Sequence, residues 1–206
     1  MPDAPDSVPQ DAVAPPSAPS RERGQAMVEF AAVLLPILLI IVGIIQFGLI
    51  FGANVTLTNA AREGTRAATI ARYDNELPRA SNDINRCTSA LDAARQSFGL
   101  MNAASPNFNV TRPCPANSGT DLNGDGLHDR WVNGDVTVSL CSSMAMPSSP
   151  CPDAGTYCTL TDAAGCLVQV TLTYRSDIIV PFMGDILSTD GGGRFVQHAS
   201  ATMVVN

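Results

Sequence analysis

The chain has 206 residues, 19 acidic against 12 basic, a formal net charge of −7 at neutral pH and six cysteines. That length accommodates one membrane helix plus a single domain of ordinary size. The acidic balance argues against nucleic acid, which demands a clustered basic surface. Every basic residue is arginine, which excludes a Schiff-base lysine and a lysine-bearing phosphate loop.

Residues 1–20 carry Pro2, Pro5, Pro9, Pro15, Pro16 and Pro19 among Asp, Ser and Ala. So little apolar surface cannot offset conformational entropy, and a disordered leader is expected. The leader ends in Arg21, Arg23 and Gly24, and from Phe30 to Ala53 the chain then carries no charge. A bilayer core of ~30 Å takes ~20 apolar residues as helix, so Ala31 to Phe51 is long enough to span it. Glu29 sits in the mouth of this run, where a carboxylate is costly without a partner. Cleavage after Gly24 supplies one, because the new α-amine on Gln25 is positively charged and lies about one helical turn from Glu29. Gly24, the carboxylate five positions on and the aromatic Phe30 after it are the marks of a prepilin peptidase site.

With these residues in place, the stretches GQAMVEFAAVLLPILLIIVGIIQFG and LTNAAREGTRAA resemble the TadE-like minor pseudopilins of the tight-adherence (Tad, or Flp) pilus system, over about residues 20–72. The resemblance implies a structural or assembly component of a pilus or related secretion system, processed by a prepilin peptidase. Its implied partners are other pilins and minor pseudopilins, and its implied fold is a helix followed by an antiparallel sheet. Gln46 is a departure, since many relatives carry an acid before Phe-Gly, and it calls into question a second charge pair within the membrane.

The predicted first helix runs from about Ala26 to Ala71, kinked where Pro36 removes a hydrogen-bond donor. Gly48 and Gly52, four apart, either admit a neighbouring helix closely or simply face lipid. Further on, Leu57, Ala60, Ala61, Gly64, Ala67, Ala68 and Ala71 recur at helical spacing as a small-residue stripe on which another element can pack. Glu63 and Arg66 are three apart and able to pair on a solvated face, which contributes little. A second helix is expected from near Pro78 to Phe98, with Ile84, Cys87, Leu91, Ala94 and Phe98 on one face and Gly99 as its stop. The remainder reads as β: Phe108–Thr111, Val136–Leu140, Leu167–Tyr174 and Phe195–Val205, with Gly191–Gly193 as a flexible turn before the last.

Between the first two of these strands, Asp121, Asn123, Asp125, Leu127 and Asp129 follow the pattern D-x-[DN]-x-D-G-x-x-D. Calcium takes six to eight oxygens, and alternating carboxylates and amides before a glycine turn can wrap one ion. Four side chains and the Leu127 carbonyl offer five donor groups toward that set. An EF-hand requires a bidentate glutamate at the twelfth position, which here is Val132, so a calcium loop without flanking helices is expected. An Asx-rich turn that holds no metal is the competing reading.

Cys87, Cys114, Cys141, Cys151, Cys158 and Cys166 all follow the apolar run, and none is spaced as Cys-x-x-Cys. That favours three disulfides over zinc, with a disulfide-tied loop in the Pro/Ser/Gly-rich stretch from Cys141 to Cys166 and an oxidising compartment. Fifteen pairings are open. The arginines on either side of the span leave its orientation undecided. The cysteines decide it, placing the carboxy-terminal part in the periplasm and residues 1–24 in the cytoplasm. A secretory signal peptide fits less well, because its apolar region is shorter. His128 and His198 are the only near-neutral acid-base groups, and no nucleophile elbow accompanies them, so no enzyme is expected.

The chain thus reads as α+β: a leader over 1–24, a transmembrane and extended helix over 25–72, and a periplasmic domain over 73–206. The expected location is the inner membrane, crossed once. The alternative, from a different class, is an unprocessed bitopic calcium-binding envelope or adhesion module; a membrane-anchored hydrolase is more remote.

Overall fold

A computed structural model describes residues 22–71, 73–122, 124, 126, 128–141, 158, 165–180 and 184–205. The chain divides into two compact units between Val42 and Gly43. The first contains the start of helix α1, Glu22–Ile70, which continues through Pro36. In this unit every large apolar side chain from Met27 to Ile41 is exposed, and α1 is long and apolar enough to cross a membrane.

In the second unit the remainder of α1 and helix α2, Arg79–Gln96, cover a five-stranded antiparallel sheet. The strands are β1 (Gly119–Thr120), β2 (Arg130–Asn133), β3 (Val136–Cys141), β4 (Leu167–Asp177) and β5 (Arg194–Val204), each paired with the next in sequence. A short helix α3, Gly184–Leu187, joins β4 to β5. Alternation on β4 sends Val168, Val170, Leu172 and Tyr174 into the core. Opposite them stand Leu140, Val138 and Val136 of β3, and Ala201 and Ala199 of β5.

The small-residue stripe is where the helices meet. Leu57, Ala60, Ala61 and Ala68 have no exposed surface. A Cβ on Gly64 would lie 3.0 Å from the Ala90 carbonyl oxygen of α2 and 3.5 Å from Val170 Cγ1 of β4, so the backbones approach as closely as glycine permits. Thr65, also fully buried, has its hydroxyl 2.7 Å from Ala61 O in its own helix and 3.2 Å from Ala201 O of β5. On α2, Cys87, Leu91 and Ala94 are buried and Ile84 packs beside them. Phe98 follows the helix and meets Phe108 edge-on at 4.7 Å and Tyr174 at 6.0 Å. Gly99 then turns with φ +57°, a conformation costly for other residues.

The strand expected at Phe108–Thr111 does not form. Side chains take the place of a neighbouring strand there: Asn109 N–H donates to Asp135 Oδ2 at 2.6 Å and Thr111 N–H to Asn133 Oδ1 at 3.0 Å. Asp135 is held in turn by Arg175 at 2.6 Å. Phe108 still fills the core. Conversely, β1 and β2 form without having been expected, with Trp131 of β2 buried against the helices' side.

Gly64→Val should destabilise the unit by about 1–3 kcal/mol, because the added methyls have no room beside Ala90. Gly48→Ala, where a Cβ meets nothing within 4 Å, should be neutral or slightly stabilising. Thermal melts of both variants in detergent provide the comparison.

Candidate functional site

At the start of α1 the residues expected for processing are all exposed. A Cβ on Gly24 would have no neighbour within 4 Å, and Phe30 is exposed. The Gln25 side-chain amide donates to Glu29 Oε1 at 3.1 Å, as the four-residue spacing of a helix allows. In the intact chain a neutral amide therefore fills the position that the sequence assigns to a charged α-amine.

A second constellation lies in the other unit, where α1 meets the ends of β4 and β5. Gln46 stands within the uncharged run, yet its side chain is buried, at 2% exposure. Its Nε2 donates to Asp177 O at 3.2 Å, and its Oε1 accepts from Ile179 N–H at 2.8 Å. The chain leaving β4 is thus held by one side-chain amide on both its donor and its acceptor. One helical turn further on, Gln197 of β5, also buried, donates to Ile50 O at 2.8 Å. Asp177 is fixed from two more directions, by Arg194 at 3.1 Å and by Asn107 at 3.0 Å. Nearby, Tyr174 accepts the Asn102 N–H at 3.2 Å; burial raises its phenol above the ordinary value against the opposing effect of that bond. Sequence reasoning noticed Gln46 only as a departure. The usable signal was an amide in an apolar run, since such a group needs a partner.

Of the expected calcium ligands, Asn123, Asp125 and Leu127 lie outside the described residues. Asp121 accepts the N–H groups of Gly124 at 2.7 Å and Gly126 at 2.8 Å, one on each oxygen, while Asp129 Oδ2 accepts from Leu122 N–H at 2.8 Å. The Asp129 N–H bonds Thr120 O at 2.9 Å, so the two carboxylates sit at the two ends of a closed β1–β2 loop. Hard oxygen donors at those ends fit a calcium loop, and the same N–H contacts fit an Asx turn.

His128 is half-buried, packs over Gly119 and meets Trp131 edge-on at 6.2 Å. His198 is exposed on β5, with Nδ1 3.1 Å from Thr173 Oγ1. Cys87 is joined to Cys114, tying α2 to the chain that leads into β1, and Cys158 is joined to Cys166. Cys141 is also disulfide-bonded, whereas Cys151 lies outside the described residues.

Residues 24–66 match the family model described as TadE-like protein. This stretch of the chain is TadE-like. The TadE-like stretch is about a fifth of the sequence. It contains Gly24, Gln25, Glu29 and Phe30, and also Gln46 and the stripe as far as Gly64. The residues that bind the sheet are therefore as much a part of the TadE-like stretch as those at its start. No curated protein and no solved structure matches the chain.

Gln46→Leu should leave the Asp177 carbonyl and the Ile179 N–H unpaired, at about 1–3 kcal/mol for each group that stays buried. Gln46→Glu keeps the acceptor for Ile179 and loses the donor to Asp177, and should fall between the two. Denaturation midpoints in detergent for the three proteins should follow that order.

Proposed function

We propose that the chain is a minor pseudopilin, a structural or assembly component of a Tad (Flp) pilus or a related secretion system. In this reading a prepilin peptidase cuts after Gly24, removing residues 1–24. Residues 25–72 form the membrane and extended helix, and residues 73–206 are periplasmic. The observation that carries the reading is the juxtaposition of Gln25 and Glu29 on one face at the head of the TadE-like stretch.

The physical argument follows from the location of that carboxylate. Gln25 in the intact chain offers Glu29 only a neutral hydrogen bond. Cleavage creates a cation beside it, and in a bundle of such helices the α-amine of one subunit can meet Glu29 of another. A misregistered helix leaves both charges unpaired in apolar surroundings, so the pairing acts as an alignment device. The Cys87–Cys114 and Cys158–Cys166 bonds support an oxidising compartment for the sheet-bearing part, hence the orientation.

The mature amino terminus is the direct test. Terminal peptide mapping of membranes should give Gln25 when the peptidase is present and a retained leader when it is absent. Glu29→Ala should still be processed and should reduce assembled pili at least tenfold. Normal pili from that variant would overturn the pairing, and a leader retained with active peptidase would favour the bitopic envelope module.

Calcium at the 121–129 loop is part of the same proposal, with Asp121, Asn123, Asp125 and Asp129 as side-chain ligands and Leu127 as a carbonyl donor. Bound there, the ion would rigidify the loop that leads into β2. Calorimetry should register binding at or below millimolar calcium, with at least tenfold weakening in Asp121→Ala; no heat at millimolar calcium would remove the metal.

A further inference from the structure

We infer that the base of the sheet-bearing unit is itself a lipid-contacting surface, in which the turns carrying Ile179 and Leu100 enter the interfacial region of the bilayer. This rests on the reading of α1 as a membrane-spanning helix.

The depth of the base follows from the chain. Gln46 lies 17 residues after Glu29, the last charge before the apolar run. Seventeen residues fall short of the ~20 that a helix needs to cross a hydrocarbon core. The level of Gln46 is therefore still at the outer edge of the hydrocarbon. Gln46 is hydrogen-bonded to the backbone of Asp177 and Ile179, which fixes the end of β4 at that same level.

The tips of this end are apolar, beside the polar Asn102, Ser176 and Asp177. Ile179 is 70% exposed and Leu100 completely so. Both line one open groove of about 490 Å³, whose wall on α1 includes Leu49 from the uncharged run. Two isolated apolar tips on separate turns, level with a helix that remains apolar, have continuous contact with whatever surrounds that helix. In a membrane this is lipid.

The backbone groups at this level are satisfied within the protein. The backbone of Asp177 and Ile179 is completed by an amide rather than left to solvent, and the Asp177 carboxylate is neutralised by Arg194 at 3.1 Å. Together with the exposed Ile179 and Leu100, these arrangements define a base adapted to the headgroup boundary.

The test uses the full chain reconstituted in phosphatidylcholine vesicles, without bromine, with lipids brominated close to the headgroup to read residues 179, 100 and 204, and with lipids brominated near the chain ends to read residue 38. Single tryptophans are introduced as Ile179→Trp and Leu100→Trp. Val204→Trp, at the opposite end of β5, provides the aqueous control, and Leu38→Trp reports on the span. The native Trp131 is buried and its emission verifies folding in each variant. The proposal expects the emission added at residues 179 and 100 to be quenched at least twofold, with that at residue 204 unchanged. If residue 38 is quenched while residues 179 and 100 behave like residue 204, the span stands and the lipid-contacting base is overturned. If residue 38 also escapes quenching, α1 does not enter the bilayer and both readings fall.

Discussion

The close approach of α1 to α2 and β4 is the constraint on which the sheet-bearing unit depends. Backbones come this near only where side chains are absent or minimal, and Ala60, Ala61, Gly64 and Ala68 supply a suitable track along α1. The track does more than exclude water. It brings the Thr65 hydroxyl to the Ala201 carbonyl and allows the two glutamines to reach across to opposite elements. Widening it would loosen the apolar contact and these polar bonds together, since they share one separation.

The unit secures its second helix by different means. α2 is held from the side by Cys87–Cys114, and beside that bond the Thr88 hydroxyl accepts the Cys114 N–H at 3.1 Å. Asp92 reaches Arg112 through two hydrogen bonds of 2.6 and 2.8 Å, and the guanidinium holds this carboxyl below its ordinary value. The chain between α2 and β1 has no regular structure until the short 3₁₀ turn at Ala116–Ser118. Covalent and ionic contacts accordingly fix a segment that lacks a hydrogen-bonding ladder of its own. A staple of this kind limits how far the helix can separate from the sheet.

The helices and the central strand were legible in the sequence because their apolar residues recur at the right period over long distances. Leu57 to Ala68 and Cys87 to Phe98 show the helical period, and Val168 to Tyr174 the period of a strand. Phe108–Thr111 misled because its apolar residues resemble a strand, while Asn109 and Thr111 bond the Asn133 and Asp135 side chains and the Asp135 N–H, more than twenty residues away. β1 and β2 are two and four residues long, too short to show periodicity. The candidate site divides in the same way. Gly24 and Glu29 carry a local motif, readable from spacing alone. The function of Gln46 depends on groups elsewhere in the chain, and nothing adjacent to it in sequence names them.

Those distant partners determine when the fold can close. Gln46 meets Asp177 across 131 residues, Thr65 meets Ala201 across 136, and Ile50 meets Gln197 across 147. Contacts of such span form late, because the intervening chain must be ordered first. The strand that ends the chain is therefore the one that completes the seat of its first helix. During synthesis α1 is present long before β5 exists, so the bonds of Thr65 and Ile50 to that strand wait until it is made. α1 is thus complete as a helix before the last groups of its seat are in place.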